Sequence, residues 1–112
     1  MLQSLFSKKR YQNIAQSEAQ KRLSANKSIL LLDVRTPEEH REVHIPGSKL
    51  LPLDQLPSDI LKIAGDKNQE IIVYCHSGMR AAAACSQLAD MGYTNVSNMG
   101  GIISWRYEVE QG

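Results

Sequence analysis

Apolar residues recur along this chain in two rhythms, and the alternation between them predicts its architecture. Ser28-Ile29-Leu30-Leu31-Leu32-Asp33-Val34 is nearly all apolar, which suits a central strand of a parallel sheet covered on both faces. Ile71-Ile72-Val73-Tyr74 is a second such run, rich in β-branched side chains. Between them Leu53, Leu56, Ile60 and Ile63 keep helical spacing over Pro52 to Ala64, closed by Gly65-Asp66. Weaker strands are expected at Tyr11 to Ile14, Ser48 to Leu51 and Asn95 to Asn98. Ser17-Glu18-Ala19-Gln20 has the Ser-x-x-Gln form of a capping box, opening a helix that ends near Asn26. Thr36-Pro37-Glu38-Glu39 starts a short helix to about Val43, with proline at the first helical position and acids in the first turn. His44-Ile45-Pro46-Gly47 is turn chemistry, an Ala-rich helix runs from Ala81 to about Met91, and a last helix is expected around Ile102 to Glu108. Strands alternating with helices predict an α/β sandwich with a mainly parallel sheet flanked by helices. Its ligands belong at the carboxyl ends of the strands.

With 112 residues the chain holds one core. The expected division is a flexible tail over residues 1–10 and a single domain over 11–112. Hydrophobic content of 42% and charged content of 22% are ordinary for a globular protein, and no apolar run approaches the ~20 residues of a membrane span. A net charge of +1 gives no general attraction to nucleic acid or to acidic membranes. In Met1 to Arg10 the charges follow the few apolar residues, the reverse of a secretory signal. A reducing cytoplasm is therefore the expected compartment.

The chemistry concentrates in Cys75-His76-Ser77-Gly78-Met79-Arg80, between the second apolar run and Ala81-Ala82-Ala83-Ala84. This places a thiol where a strand becomes a helix. Inward backbone N–H groups and the positive end of the helix favour an anion there, including a thiolate. Gly78 supplies the backbone freedom that a tight anion-cradling loop requires. Cys75 is the candidate nucleophile, and Arg80 and His76 are the candidates for holding an anionic donor. The second thiol, Cys85, lies about two turns along the helix, beyond disulfide reach of Cys75. It reads as small packing against the sheet rather than as a resolving thiol.

These residues resemble a single-domain rhodanese, a sulfurtransferase module, over roughly residues 11 to 108. The resemblance rests on Leu32-Asp33-Val34-Arg35-Thr36-Pro37-Glu38-Glu39, on His44-Ile45-Pro46-Gly47, on Val73 to Arg80, and on Gly100-Gly101-Ile102 with Trp105. It implies the rhodanese-like three-layer sandwich, with Cys75 taking a sulfane sulfur from thiosulfate, a persulfide or a polysulfide. Cys75 would hold that sulfur as a persulfide and pass it to cyanide or a thiol, a protein acceptor included. The amides of positions 76 to 80 would cradle the sulfur, so His76, Ser77, Gly78, Met79 and Arg80 are the implied substrate-binding residues. The scheme is ping-pong and requires no metal or organic cofactor. A monomer or weak dimer is expected.

Many family members have glycine before the His-Ile-Pro-Gly element and alanine after it, where Val43 and Ser48 stand here. These departures should adjust packing only. His44 is read as a turn histidine satisfied by backbone and His40 as a solvated helix residue, with no ligand set for a metal. Asp33 and Arg35 should brace neighbouring loops, and Trp105 should close the core. Two rivals stand beside the transferase: a cysteine-dependent phosphatase or arsenate reductase of related fold, and a non-catalytic interaction module. The phosphatase-type loop generally has five residues between Cys and Arg, and four stand here. The interaction module would usually have lost its cysteine, and Cys75 remains.

Overall fold

A computed structural model describes residues 10–112. Positions 1 to 9 of the expected tail lie outside the described residues. Arg10, its last member, pairs with Asp90. The strands are β1 (Gln12–Asn13), β2 (Leu30–Asp33), β3 (Lys49–Leu50), β4 (Ile71–Cys75) and β5 (Val96–Gly101). They form one parallel sheet in the order β1-β5-β4-β2-β3. The helices are α1 (Gln16–Ala25), α2 (Pro37–Glu42), α3 (Leu56–Ile63) and α4 (Met79–Asp90).

The near-continuous apolar runs become the two central strands, β2 and β4, because both faces of the sheet are covered. Successive side chains point to opposite faces, so the runs split into two cores. Leu32, Val34, Ile71, Val73 and Cys75 pack with Leu56 and Ile60 of α3 and with Ala81, Ala84, Cys85 and Leu88 of α4. The α4 residues keep helical spacing, so its small side chains lie against the sheet. Leu31, Ile72, Tyr74 and Met99 face the other way, onto Ala19 and Leu23 of α1 and onto Trp105. This is the expected three-layer α/β sandwich.

Four local expectations are revised. Ser17 does not cap α1: the helix begins at Gln16 after Ala15, without a side-chain cap, and Gln20 bonds Ser24 instead of turning back. The Pro52 to Ala64 segment is a 3₁₀ turn over Leu53–Gln55 followed by α3. β5 runs on to Gly101, three residues beyond the expected strand end. The last helix is only a 3₁₀ turn over Ile102–Ser104, after which Trp105 is extended. The segment beyond it is drawn out by a bridge in which the main chains of His44 and Glu110 exchange hydrogen bonds of 2.8 and 2.9 Å.

Candidate active site

β4 ends at Cys75, whose side chain is 1% exposed beneath the loop that follows. The loop turns at Gly78, with φ +117°, and α4 starts at the next residue. That conformation is one L side chains rarely adopt. The turn brings two backbone N–H groups onto one sulfur: Gly78 donates to Cys75 Sγ at 3.0 Å and Ala81 at 3.3 Å. The Ala81 donor lies one residue outside the amides assigned from sequence.

The floor of the loop is the end of β5. A Cβ on Gly101 would fall 2.0 Å from the His76 carbonyl oxygen and 2.5 Å from Ser77 Cα, so only glycine lets the two segments approach this closely. The pairing slips here: Val73 faces Asn98, but Cys75 faces Gly101, with three residues of β5 against two of β4. Such an irregularity re-aims the strand end beside a site. Ile103 N–H donates to the His76 carbonyl at 3.1 Å, tying the loop to the 3₁₀ turn. Gln16 then fixes that floor, its amide donating to the carbonyls of Met99 and Gly101 at 2.9 Å each. No local sequence signal marks Gln16, because its partners lie 83 and 85 residues away.

His76, Ser77 and Met79 expose their side chains, and Arg80 is half-buried. The Arg80 guanidinium does not stand free at the mouth. Nη1 and Nη2 donate to the two oxygens of Glu39 at 2.7 and 3.0 Å, a bidentate pair that joins α4 to α2. Glu39 is also the closing member of a capping box, since Oε1 accepts from Thr36 N–H at 3.0 Å while Thr36 Oγ1 accepts from Glu39 N–H at 3.2 Å. Chiefly through Arg80, its carboxyl is held down from the ordinary 4.5 to about 2. The Thr-x-x-Glu spacing is a local signal of that box which the reading of this segment as a plain helix start misses, and nothing local announces the bond to Arg80.

Behind α2, Asp33 is fully buried and accepts five hydrogen bonds. Its donors are Arg35 N–H, Nε and Nη2, His40 Nδ1 and Tyr74 OH, at 2.8 to 3.1 Å. Burial alone would raise the Asp33 pKa, but Arg35 and His40 together hold it below its ordinary value. Burial pushes the Tyr74 phenol up to about 12. Arg35 reaches on to the Val43 carbonyl at 2.7 Å, bracing the turn as expected. His40 is not the solvated residue expected from sequence: its contact with Asp33 and its stacking on His44, ring centroids 3.9 Å apart, draw it inward. His44 Nδ1 donates to the His40 carbonyl at 2.8 Å and Nε2 faces Glu110 at 3.1 Å. Cys85 is fully buried, and burial pushes its thiol up to about 12.

Two cavities open beside the Arg80–Glu39 pair. One, about 460 Å³, lies against Thr36, Leu53, Pro57 and Arg80. The other, about 450 Å³, runs from His76 between α2 and the C-terminal segment, past Glu39, Ile103 and Trp105 to Val109. Trp105 therefore packs on the core edge, as expected, and also lines this groove.

The rhodanese-like domain family matches residues 15–108. The chain belongs to that family. A sulfurtransferase of Allochromatium vinosum is 39% identical over 85 residues, covering 75% of this chain and 78% of its own. The thiosulfate sulfurtransferase PspE of Escherichia coli is 38% identical over 71 residues, covering 63% of this chain and 68% of its own. Among solved structures, a rhodanese-related protein of Thermoplasma volcanium superposes with a TM-score of 0.78 at 30% identity, covering 91% of this chain and 100% of its own. Within this rhodanese, no group of His, Cys, Asp and Glu among the described residues is arranged to hold a metal ion. No helix among them is long and apolar enough to cross a membrane.

Proposed function

We propose that Cys75 is the sulfur-carrying nucleophile of this chain. The enzyme class follows from the family: the chain is a rhodanese-type sulfurtransferase. In the first half-reaction the Cys75 thiolate attacks the outer sulfur of the donor, the Sγ–S bond forms, and sulfite leaves if the donor is thiosulfate. In the second, an acceptor thiolate or cyanide attacks that outer sulfur, and the electron pair of the breaking bond returns to Sγ. The observation that carries this reading is the convergence of the Gly78 and Ala81 N–H groups on Sγ. They stabilise negative charge on the sulfur before and after each transfer, at no cost in reorganisation.

His76, Ser77, Gly78 and Met79 then form the rim through which the outer sulfur is reached. Arg80 acts on that rim through Glu39, as a positioning residue that holds the loop against α2. Both thiols suit a reducing compartment such as the cytoplasm. The test is to incubate the protein with thiosulfate and weigh it intact. A cyanide-labile gain of one sulfur atom is expected, lost in Cys75→Ser and retained in Cys85→Ser. Efficient hydrolysis of an aryl phosphate, with no sulfur transfer from thiosulfate or an organic persulfide, would put the phosphatase reading in its place.

A further inference from the structure

The groove that starts at His76 is built for something other than a small anion. Its volume of about 450 Å³ lies within the ~300–1,000 Å³ of sites that take organic ligands. One wall is apolar, made by Ile103, Trp105 and Val109, while Glu39 and Glu42 of α2 stand opposite. The guanidiniums beside it are already matched, Arg80 by Glu39 and Arg35 by Asp33. Glu42 forms no ion pair with any described residue, so the net charge on the walls is negative. Arg41 and Arg106, the nearest other arginines along the chain, do not line the groove.

Of the five large hydrophobic side chains exposed among the described residues, two line this groove, while Leu61, Met79 and Tyr107 do not. Ile103 is 68% and Val109 44% exposed, and Met79, which opens α4 and does not line the groove, is 83% exposed. Apolar side chains scattered singly need no explanation, but Ile103 and Val109 share one wall of the same groove and offer a contact surface. Along the α2 wall a dianion such as thiosulfate is repelled by Glu42, and the lining side chain left to receive it is His76, at the loop end.

Resting on the transferase reading above, we infer that the groove docks a partner polypeptide whose acceptor cysteine is flanked by apolar and basic residues. The partner's apolar side chains lie on Ile103 and Val109, and its basic group faces Glu42. Its cysteine thiolate reaches the Cys75 persulfide at the His76 end. The S–S bond of the persulfide breaks, the outer sulfur leaves on the partner as a new persulfide, and Cys75 is regenerated as thiolate. Charge and atoms balance without any further reactant.

Trp105 is the only tryptophan of the chain and lines the groove, so it reports binding without chemistry. Two short peptides serve as probes, one with its central position flanked by leucine and lysine, the other with glutamate replacing lysine. With serine at the centre, titration followed by Trp105 fluorescence should show the lysine peptide binding about fivefold tighter at low salt. Glu42→Lys should abolish or reverse that preference, and Ile103→Glu should weaken the glutamate peptide further. With cysteine at the centre, transfer from the loaded enzyme should follow the same order when normalised to cyanide. Equal binding of the two peptides, or a preference that survives Glu42→Lys, would overturn the inference. If the peptides bind in the expected order but neither cyanide nor the cysteine peptides accept sulfur, the transferase reading falls and takes this acceptor assignment with it.

Discussion

At the scale of single residues the site depends on two features that differ in how they act. Cys75 supplies the sulfur, while Gly101 supplies only room. Its place could be filled by nothing larger, because a Cβ would meet the His76 carbonyl at 2.0 Å, and backbone cannot yield as a flexible side chain does. Gly101→Ala must therefore push the loop away from β5, lengthening the Ile103 to His76 bond and moving the Gly78 N–H off Sγ. We expect a loss of about 1–3 kcal/mol in urea unfolding, as for other overpacked sites. Thiosulfate-to-cyanide transfer should fall more than tenfold, since loss of one charge-stabilising donor alone costs ~10²–10³ elsewhere. A variant that is destabilised yet transfers sulfur at the wild-type rate would show that the loop tolerates displacement. Cys85 makes the contrast: as buried as Cys75, it packs among core side chains, and burial pushes its thiol up.

Between elements, the Arg80–Glu39 pair converts a helix cap into a strut for the loop. Glu39→Gln keeps the shape and leaves one good acceptor, but removes the charge that the guanidinium faces. The pH dependence has a definite sign. A carboxyl depressed from 4.5 to about 2 in the folded chain adds stability that is complete above pH 4.5 and lost as pH falls through 2. The wild-type urea midpoint should therefore drop across that window more steeply than that of Glu39→Gln, with parallel curves counting against the pair. At neutral pH the difference should be small, about 1 kcal/mol or less, because both partners are about a third exposed. This pair also marks where sequence reading stops. β2, β4 and α4 were legible because continuous apolar runs and small-residue helical spacing are local signals, and so was the cysteine at their junction. The bond between residues 41 apart obeys no spacing rule. The same holds for Gln16, whose amide serves β5 instead of a cap, and for the segment after Ser104. There the main chain of Glu110 exchanges hydrogen bonds with distant His44, which draws the segment out.

For the molecule as a whole, the two cores on opposite faces of the sheet meet at one buried polar point, Asp33. It lies beside Tyr74 in the β2–β4 register and holds Arg35, His40 and Tyr74 at once. Tyr74 OH in turn accepts from Ile45 N–H at 3.1 Å and bonds Ser48, so the turn after α2 hangs from the same network. Ser48 thus does more than adjust packing. Satisfied networks of this kind are costly to break singly, since each lost partner strands another in a low dielectric. Asp33→Asn would leave the Arg35 guanidinium, 2% exposed, without its counter-charge. We expect about 3–5 kcal/mol of destabilisation and a fall in Tm of more than about 10 °C, with the urea m-value unchanged. Tyr74→Phe should cost less, about 1–3 kcal/mol, because it strands Ile45 N–H but leaves Asp33 its other four bonds. Sulfur transfer separates the network from the site: neither side chain touches Cys75, so each variant should keep transfer activity at temperatures where it remains folded. If Asp33→Asn proved as stable as Tyr74→Phe, Arg35 would have found another partner, and Asp33 would not be the tie between the layers.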